Sequence, residues 1–542
     1  MMKVRKWIKR ITATLMASLC ALACAACGDT GEIPAGPNYD RTIFNNPNFI
    51  SFAYGSVNNG TTEVKGLDWT TGRNMVTLEK FKEYKECGFD VIMPQSYAVS
   101  KAKWTEVLDL AQQADLKVLI TDNRIYQGHS KDEDVINGTT YARDVDLDYA
   151  VKSWLSDYMN HPAFYGVLMG DEVADWELDG SYGRLYRAVR RVLDNNGHKD
   201  KIVYANIMDY ANYSTYAVHD PEKRYWTELS REKYCEILSL NVADYEGMSD
   251  TDFYKVVEGK AWKSRELQME ICWYRYTAFC EKFFEKTGAS FVAVDWYPLY
   301  NTAKDYMITS LQALAAVCAE YDAEMHCVAQ ANRYMSYNGT DTRGGYSEDD
   351  MRWMNDIMIA FGAKCVMYFC YYVHSDDGNG WFLETCSFET WYGEKTKMWY
   401  FMQDIIAQNK EFACVFNNFA FKTSRKYIVQ DARTYQYEYL EYAKDQGEFT
   451  ALKDVSLNQE GALITELYDE RFGVYMYGVI NMVDPIDKGA RSYEIVTLTF
   501  DDVYEYAVIW KDGEKQEVAL KNHTLKVENA AGEVTYVIPY SA

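Results

Sequence analysis

Outside the N-terminal leader the cysteines form no Cys-x-x-Cys pair and no grouping at metal-ligand spacing, so no metal centre is expected. Gly-x-Ser-x-Gly, His-Glu-x-x-His, a phosphate loop and a Gly-x-Gly-x-x-Gly turn are also missing. Their absence removes the serine-hydrolase, zinc-peptidase, nucleotide and dinucleotide chemistries that depend on them, and no cofactor is called for. Positive charge is in short supply, with 56 Lys and Arg against 80 Asp and Glu, a formal balance of −24. A chain this acidic is repelled by phosphate backbones and anionic lipid, which argues against nucleic acid as a partner. Internal repeats and low-complexity tracts are missing as well.

Of the 13 cysteines, Cys20, Cys24 and Cys27 lie in or at the N-terminal leader. Several of the others, such as Cys365 and Cys370, sit inside apolar runs, where cysteine behaves as a small hydrophobe. Buried thiols rather than a disulfide framework are expected. The leader carries Lys3, Arg5, Lys6, Lys9 and Arg10, then an uncharged run rich in small residues from Ile11 to Ala26. That is the layout of a secretory signal over 1–26, too short and alanine-rich for a membrane span. Ala25-Ala26-Cys27-Gly28-Asp29 resembles a bacterial lipoprotein cleavage box with Cys27 as the lipidated residue, although Cys24 stands where leucine is usual. Residues 27–47, rich in Gly, Pro, Asp and Asn, read as a tether. The expectation is an exported, membrane-anchored lipoprotein on a bacterial cell surface.

What the chain has in abundance is aromatic side chains, 15% of residues with 46 tyrosines. Flat rings stack on the apolar faces of sugars, although many of them must be ordinary core. From about Asn48, apolar runs alternate with amphipathic helical stretches. The runs are 49–54, 90–94, 117–121, 164–169, 201–205, 290–294, 325–329 and 365–371. Eight of them, separated by helices, are what a (β/α)8 barrel over 48–410 needs. The interval 208–289 is long for a single connection, and Ile237-Leu238-Ser239-Leu240-Asn241 could be a further strand that shifts the later register. Beyond Glu411 the texture turns to short runs of period two, such as Ile495-Val496-Thr497-Leu498-Thr499, which predicts a β-sandwich over 411–542.

Residues that follow the runs gather at one barrel face: Tyr54, Gln95, Asp122 and Asn123, Asp171 and Glu172, Asn206, Asp295, Gln330 and Asn332, then Tyr372 and His374. Nearly every run ends in a hydrogen-bonding or acidic side chain, as a sugar-binding cleft requires. Asp144, Asp146 and Asp148 alternate without full calcium-loop spacing and read as a solvated acidic loop.

The chain resembles the (β/α)8 glycoside hydrolases of clan A, most nearly the family 42 type. The matching stretches are Tyr165 to Glu172, Val294-Asp295-Trp296-Tyr297-Pro298, and Ala360-Phe361-Gly362-Ala363-Lys364 leading into Tyr368-Phe369. Gly393-Glu394-Lys395-Thr396, Gly461-Ala462-Leu463-Ile464 and Val479-Ile480-Asn481 complete the set. The resemblance implies hydrolysis of poly- or oligosaccharides, with an acid/base glutamate after the fourth strand and a nucleophile after the seventh. The first role falls on Glu172, preceded by Asp171 where the family usually has asparagine. A neighbouring carboxylate of that kind would raise the Glu172 pKa if the side chains are close.

The second role falls near Gln330, and a neutral amide cannot attack an anomeric carbon. Asp295 is the best-placed replacement carboxylate and Asp122 the second; Glu324 lies at the wrong end of its strand. The alternative is a surface glycan-binding protein that does not cleave. Trp176, Trp296, Tyr297, Trp381 and Tyr97 are candidate sugar platforms. Asp171, Asn123, Asn206, Gln330 and Asn332 are candidate hydrogen-bonding residues, while His326 and His374 read as structural.

Overall fold

A computed structural model describes residues 50–54, 76–93, 101–209, 225–261, 263–298, 307–331, 333–336, 347–369, 371, 381–384, 388–389, 393–428, 440, 443–458, 461–483, 485 and 493–541. The leader, Cys27 and the tether lie outside them. Eight strands correspond to the eight apolar runs: β1 Ile50–Tyr54, β2 Val91–Met93, β3 Lys117–Ile120, β4 Phe164–Val173, β5 Ile202–Ile207, β6 Phe291–Trp296, β7 Glu324–Gln330 and β8 Ala363–Phe369. They pair in parallel in the order β1-β8-β7-β6-β5-β4-β3-β2 and close into a barrel, with β1 bonded to both β8 and β2.

Period-two alternation sorts each strand between two environments. On β6, Phe291 and Ala293 fill the barrel interior beside Leu168, Tyr204, Val328 and Met367. Val292, Val294 and Trp296 face the surrounding helices. Those helices are α1 Leu78–Cys87, α2 Lys101–Gln113, α3 Asp144–Leu155, α4 Tyr182–Asn195, α5 Arg265–Thr287, α6 Met307–Glu320, α7 Glu348–Ala360 and α8 Lys397–Phe416. In α1 the helical spacing of Phe81, Tyr84 and Cys87 makes one buried face. Thr77 caps its start, accepting from the Lys80 N–H, and Gly88 ends it at φ 111°, a value only glycine adopts freely.

Asp144, Asp146 and Asp148 are not a loop. They open α3, where acidic groups suit the helix N-terminus, and pair with Arg143, Arg184 and Arg191. The possible extra strand at 237–241 does not form. A helix ends at Ile237, Ser239 turns through φ 52°, and Asn241 caps a 3-10 turn at Val242–Tyr245. The count stays at eight because α5 closes the long interval as an ordinary barrel helix, packed on its neighbours α4 and α6.

Helix α8 crosses position 411, so the change to β structure falls at 417–419. The β strands that follow are β9 Ala420–Ile428, β10 Leu452–Leu457, β11 Gly461–Asp469, β12 Val474–Ile480, β13 Glu494–Phe500, β14 Tyr506–Lys511, β15 Glu514–Ala519, β16 Thr524–Asn529 and β17 Val534–Tyr540. They form a six-stranded sheet, β9-β11-β12-β17-β14-β15, and a three-stranded sheet, β10-β13-β16. Ile464, Tyr477, Val479, Val496, Leu498 and Val537 fill the space between the two, which makes a sandwich. The outer face of the larger sheet packs on the barrel helices. Phe412 meets Trp510 and Tyr536 at ring-centroid distances of 4.6 and 5.1 Å, and Phe361 meets Phe421 at 5.7 Å. Gln312 of α6 donates to Ser424 Oγ and the Lys444 carbonyl, adding directional bonds to this apolar seam.

Candidate functional site

The boundaries of three strands decide the site. β4, β5 and β6 run further than the apolar runs do, so Asp171, Glu172, Asn206 and Asp295 belong to strands rather than to the loops after them. Asn206 and Asp295 share the inward parity of Tyr204 and Ala293 and are buried at the C-terminal mouth. A regular strand would send Asp171 and Glu172 to opposite faces. Instead β4 loses register with β5 twice, between Leu168 and Gly170 and between Gly170 and Val173. Glu172 adopts φ 50°, a left-handed value uncommon for a residue with a side chain. Gly170 is required at the irregularity, since a Cβ there would lie 2.3 Å from Val173 Cγ2. Such bulges re-aim side chains, and here both carboxyl groups reach the same inward-facing partners.

Asn206 joins them. Its Nδ2 donates to Asp295 Oδ1 at 2.9 Å and to Asp171 Oδ1 at 3.2 Å, while its buried Oδ1 has no partner. The Asp295 side chain lies near enough for a hydrogen bond that favours the Glu172 anion. Two carboxyl groups can form such a bond only if one carries a proton. Glu172 is open to solvent by surface area, yet it lies in a concave mouth where crowding protein atoms strip much of its hydration. That desolvation, with the charges of Asp171 and Asp209, pushes its pKa up to about 7; the bond to Asp295 pulls the other way. Asp295, 4% exposed, is raised well above the ordinary carboxylate range by burial first and then by Asp171, Glu172 and Asp209, with the Asn206 bond opposing. Both carboxyl groups therefore hold their protons more tightly than ordinary carboxyls do.

The other sequence candidates separate in space. Asp122 is buried and fully engaged. It caps the short helix Asn123–Tyr126, accepts from the Arg124 backbone N–H and Nε at 3.0 Å and from Nη2 at 2.7 Å, and takes the Tyr158 hydroxyl proton at 2.9 Å. Arg124 in turn holds Asp157 and lies 5.2 Å over the Trp104 ring. This carboxylate serves the fold, and Asn123 beside it is exposed on the helix it starts.

Trp296 is not a platform. It is one residue from Asp295, so the pleat turns it outward, where it is 1% exposed and meets Trp353 at 5.8 Å. Tyr297, two residues beyond Asp295, is half-buried against the barrel interior and stacks with Phe369 at 6.1 Å, which makes a pair of rings at this end of the barrel. Trp176 is half-buried in the helical layer with Lys131 Nζ 6.0 Å over its ring. Gln330 ends β7 fully buried. Tyr97, Asn332 and His374 lie outside the described residues. Only the backbone of Trp381 is described, in a strand at 381–384 that pairs with Arg333–Ser336. No group of three or more metal-ligating side chains is assembled among the described residues.

Asp209 is the acidic residue that the strand-end reading passed over. It is 4% exposed and raises the pKa of both Glu172 and Asp295. The sequence signal was there, an acid just beyond an apolar run, but ending that run at Ala205 put Asp209 into the long interval. Tyr126 is the other omission; burial and then the charges of Asp171, Glu177 and Glu172 raise its hydroxyl pKa.

No family model matches the chain, and no curated protein does. Solved structures of similar shape include a GH27 β-L-arabinopyranosidase from Geobacillus stearothermophilus, at 9% identity and TM-score 0.47 over 94% of this chain and 99% of that one. A GH30 endoxylanase from Clostridium papyrosolvens C71 aligns at 8% identity and TM-score 0.38 over 91% and 96% of the two chains. A β-galactosidase from the psychrophilic Marinomonas ef1 aligns at 11% identity and TM-score 0.36; the match takes in 67% of this chain and 60% of that one.

Proposed function

We propose that the protein is a glycoside hydrolase acting on poly- or oligosaccharides at the C-terminal mouth of the barrel. The reading rests on one observation: Glu172 and Asp295 lie together at the mouth, both made reluctant to ionise by burial and by the charges of Asp171 and Asp209, with the Glu172 carboxyl held near pH 7. An acid/base group is most effective when its pKa lies near the working pH. A sugar entering the mouth meets the pair. Glu172 gives its proton to the glycosidic oxygen as the C1–O bond breaks, and Asp295, left as carboxylate, attacks C1 or balances its positive charge. Water with Glu172 as base then completes hydrolysis.

Inverting enzymes hold their two carboxyl groups roughly 6.5 to 9.5 Å apart to admit a water, and retaining enzymes about 5 to 5.5 Å. The separation of the Glu172 and Asp295 carboxyl groups with a sugar bound therefore decides between the two outcomes. Asn206 positions Asp295, and its unpartnered Oδ1 suits a sugar hydroxyl. Export, lipid anchoring through Cys27 and the family 42 likeness belong to the same proposal.

Asp295 favours a second reading. A carboxyl this buried and this reluctant to ionise is a better hydrogen-bond donor than a nucleophile, and Gln330 offers none. On that reading the mouth holds a glycan without cleaving it. A screen of aryl glycosides and polysaccharides with wild type and Glu172→Gln separates the two. Turnover abolished by the substitution supports hydrolysis. Binding without turnover in either protein supports the second reading and sinks the first.

A further inference from the structure

A cavity of about 590 Å³ opens at the end of the barrel opposite Glu172 and Asp295. Its walls are the beginnings of β5 to β8, with Ile202, Phe291, Glu324 and Lys364 among the residues that line it. Pockets for small molecules span roughly 300 to 1,000 Å³, so this one is of ligand size.

His326 lines it from the inner face of β7, 7% exposed, with its ring stacked on Phe291 at 4.5 Å and 22°. Its Nε2 lies 3.4 Å from a Glu324 oxygen. An ionised carboxylate only accepts, and Glu324 is held below its ordinary pKa, chiefly by this bond, so Nε2 carries the proton. The other ring nitrogen, Nδ1, is buried without a partner.

Lys364 commits two N–H groups to the carbonyl oxygens of Phe416 and Phe419. The third remains for the cavity that it lines. Lys199 and Asp322 stand exposed at the rim, so the charges of the lining residues are of both signs and select neither an anion nor a cation. Interleaved donors and acceptors on an apolar wall match a molecule whose groups each donate and accept, which is what hydroxyls do.

We infer that the N-terminal mouth of the barrel is a second binding site, taking a neutral polyhydroxylated ligand of sugar size that hydrogen-bonds Nδ1 of His326 and donates to the Glu324 carboxylate. The inference stands apart from the reading of the C-terminal mouth, because none of its residues belongs to that site.

Calorimetric titration of the full chain carrying Glu172→Gln with D-galactose, D-xylose, L-arabinose, xylobiose and cellobiose tests it. The same titration is run with Ser290→Trp or His326→Phe added. Ser290 is exposed at the rim, so the indole would plug the opening without disturbing the floor. The expected result is binding of at least one sugar that either substitution weakens by about tenfold or more. The 15N signal of His326 Nδ1 should also move as that sugar saturates. If His326→Phe does not fold, Ser290→Trp with the histidine signal decides alone. An Nδ1 signal that no sugar moves up to its solubility limit, or affinity untouched by Ser290→Trp, would mean that the cavity holds only water and would overturn the inference.

Discussion

Asp122 follows the end of β3 and Glu172 lies near the end of the adjacent β4, and their surroundings are opposite. Asp122 is met by Arg124, Tyr158 and a backbone N–H. Glu172 faces Asp171, Asp209 and Asp295. A carboxylate surrounded by donors is stabilised as an anion and held in place. One surrounded by other carboxyls keeps its proton and can give it away. The difference between a structural acid and a chemical one therefore lies in the neighbours and not in the residue.

The contrast breaks most sharply under amide substitution. Glu172→Gln is expected to lower kcat/KM by about 10²- to 10⁴-fold while leaving sugar affinity within a few-fold. Asp122→Asn should do the reverse, costing about 1 to 3 kcal/mol of stability because Arg124 and Tyr158 lose a charged acceptor. Its turnover per folded molecule should stay near wild type. Urea unfolding and initial rates on the same preparations measure both; a dead but stable Asp122→Asn protein would erase the distinction.

The pH profile comes next. Hydrolysis requires protonated Glu172, so the rate should fall as pH rises through about 7. Asp209→Asn removes one of the charges that raise this pKa and should move that limb to lower pH, which a kcat/KM profile of the variant would reveal. Stability follows the same sign. Glu172, Asp356 and Glu389 each titrate near 7 in the folded chain, against about 4 for free carboxyls. Between those values the unfolded chain releases protons that the folded chain keeps. The contribution is full below about pH 4 and is lost as pH rises towards 7, so the melting temperature should decline over that interval.

The smallest effect expected is at the ring pair of Tyr297 and Phe369. Tyr297→Ala should weaken sugar binding by about 0.5 to 1.5 kcal/mol, whereas Trp296→Phe should leave affinity alone and show itself only in stability. Equal losses from both would mean that the pleat is not what separates their roles.

The architecture was legible because period-two and helical spacing are local properties. All eight runs became strands, and the alternation at 495–499 became part of β13 in the sandwich. The candidate site was legible at Glu172, where an apolar run ends in paired acids. It was less so elsewhere, because which face a strand-end residue takes depends on where the strand stops. Extending β6 by two residues turned Asp295 inward and Trp296 outward. Extending β5 brought Asn206 into the barrel and left Asp209 just beyond it. The bulge that lets Asp171 and Glu172 share one side has no pattern of its own apart from Gly170. The Asp122 cluster could not be foreseen either, since Tyr158 and Asp157 reach it from the end of another helix.

The most direct test is to follow the Glu172 carboxyl itself by 13C NMR in protein labelled at glutamate, assigned with Glu172→Gln. The midpoint should lie near 7 and fall when Asp209→Asn is introduced. A Glu172 that titrates at the ordinary value of about 4.3 in both proteins would contradict the effect of its acidic neighbours, and with it the acid that the proposed chemistry requires.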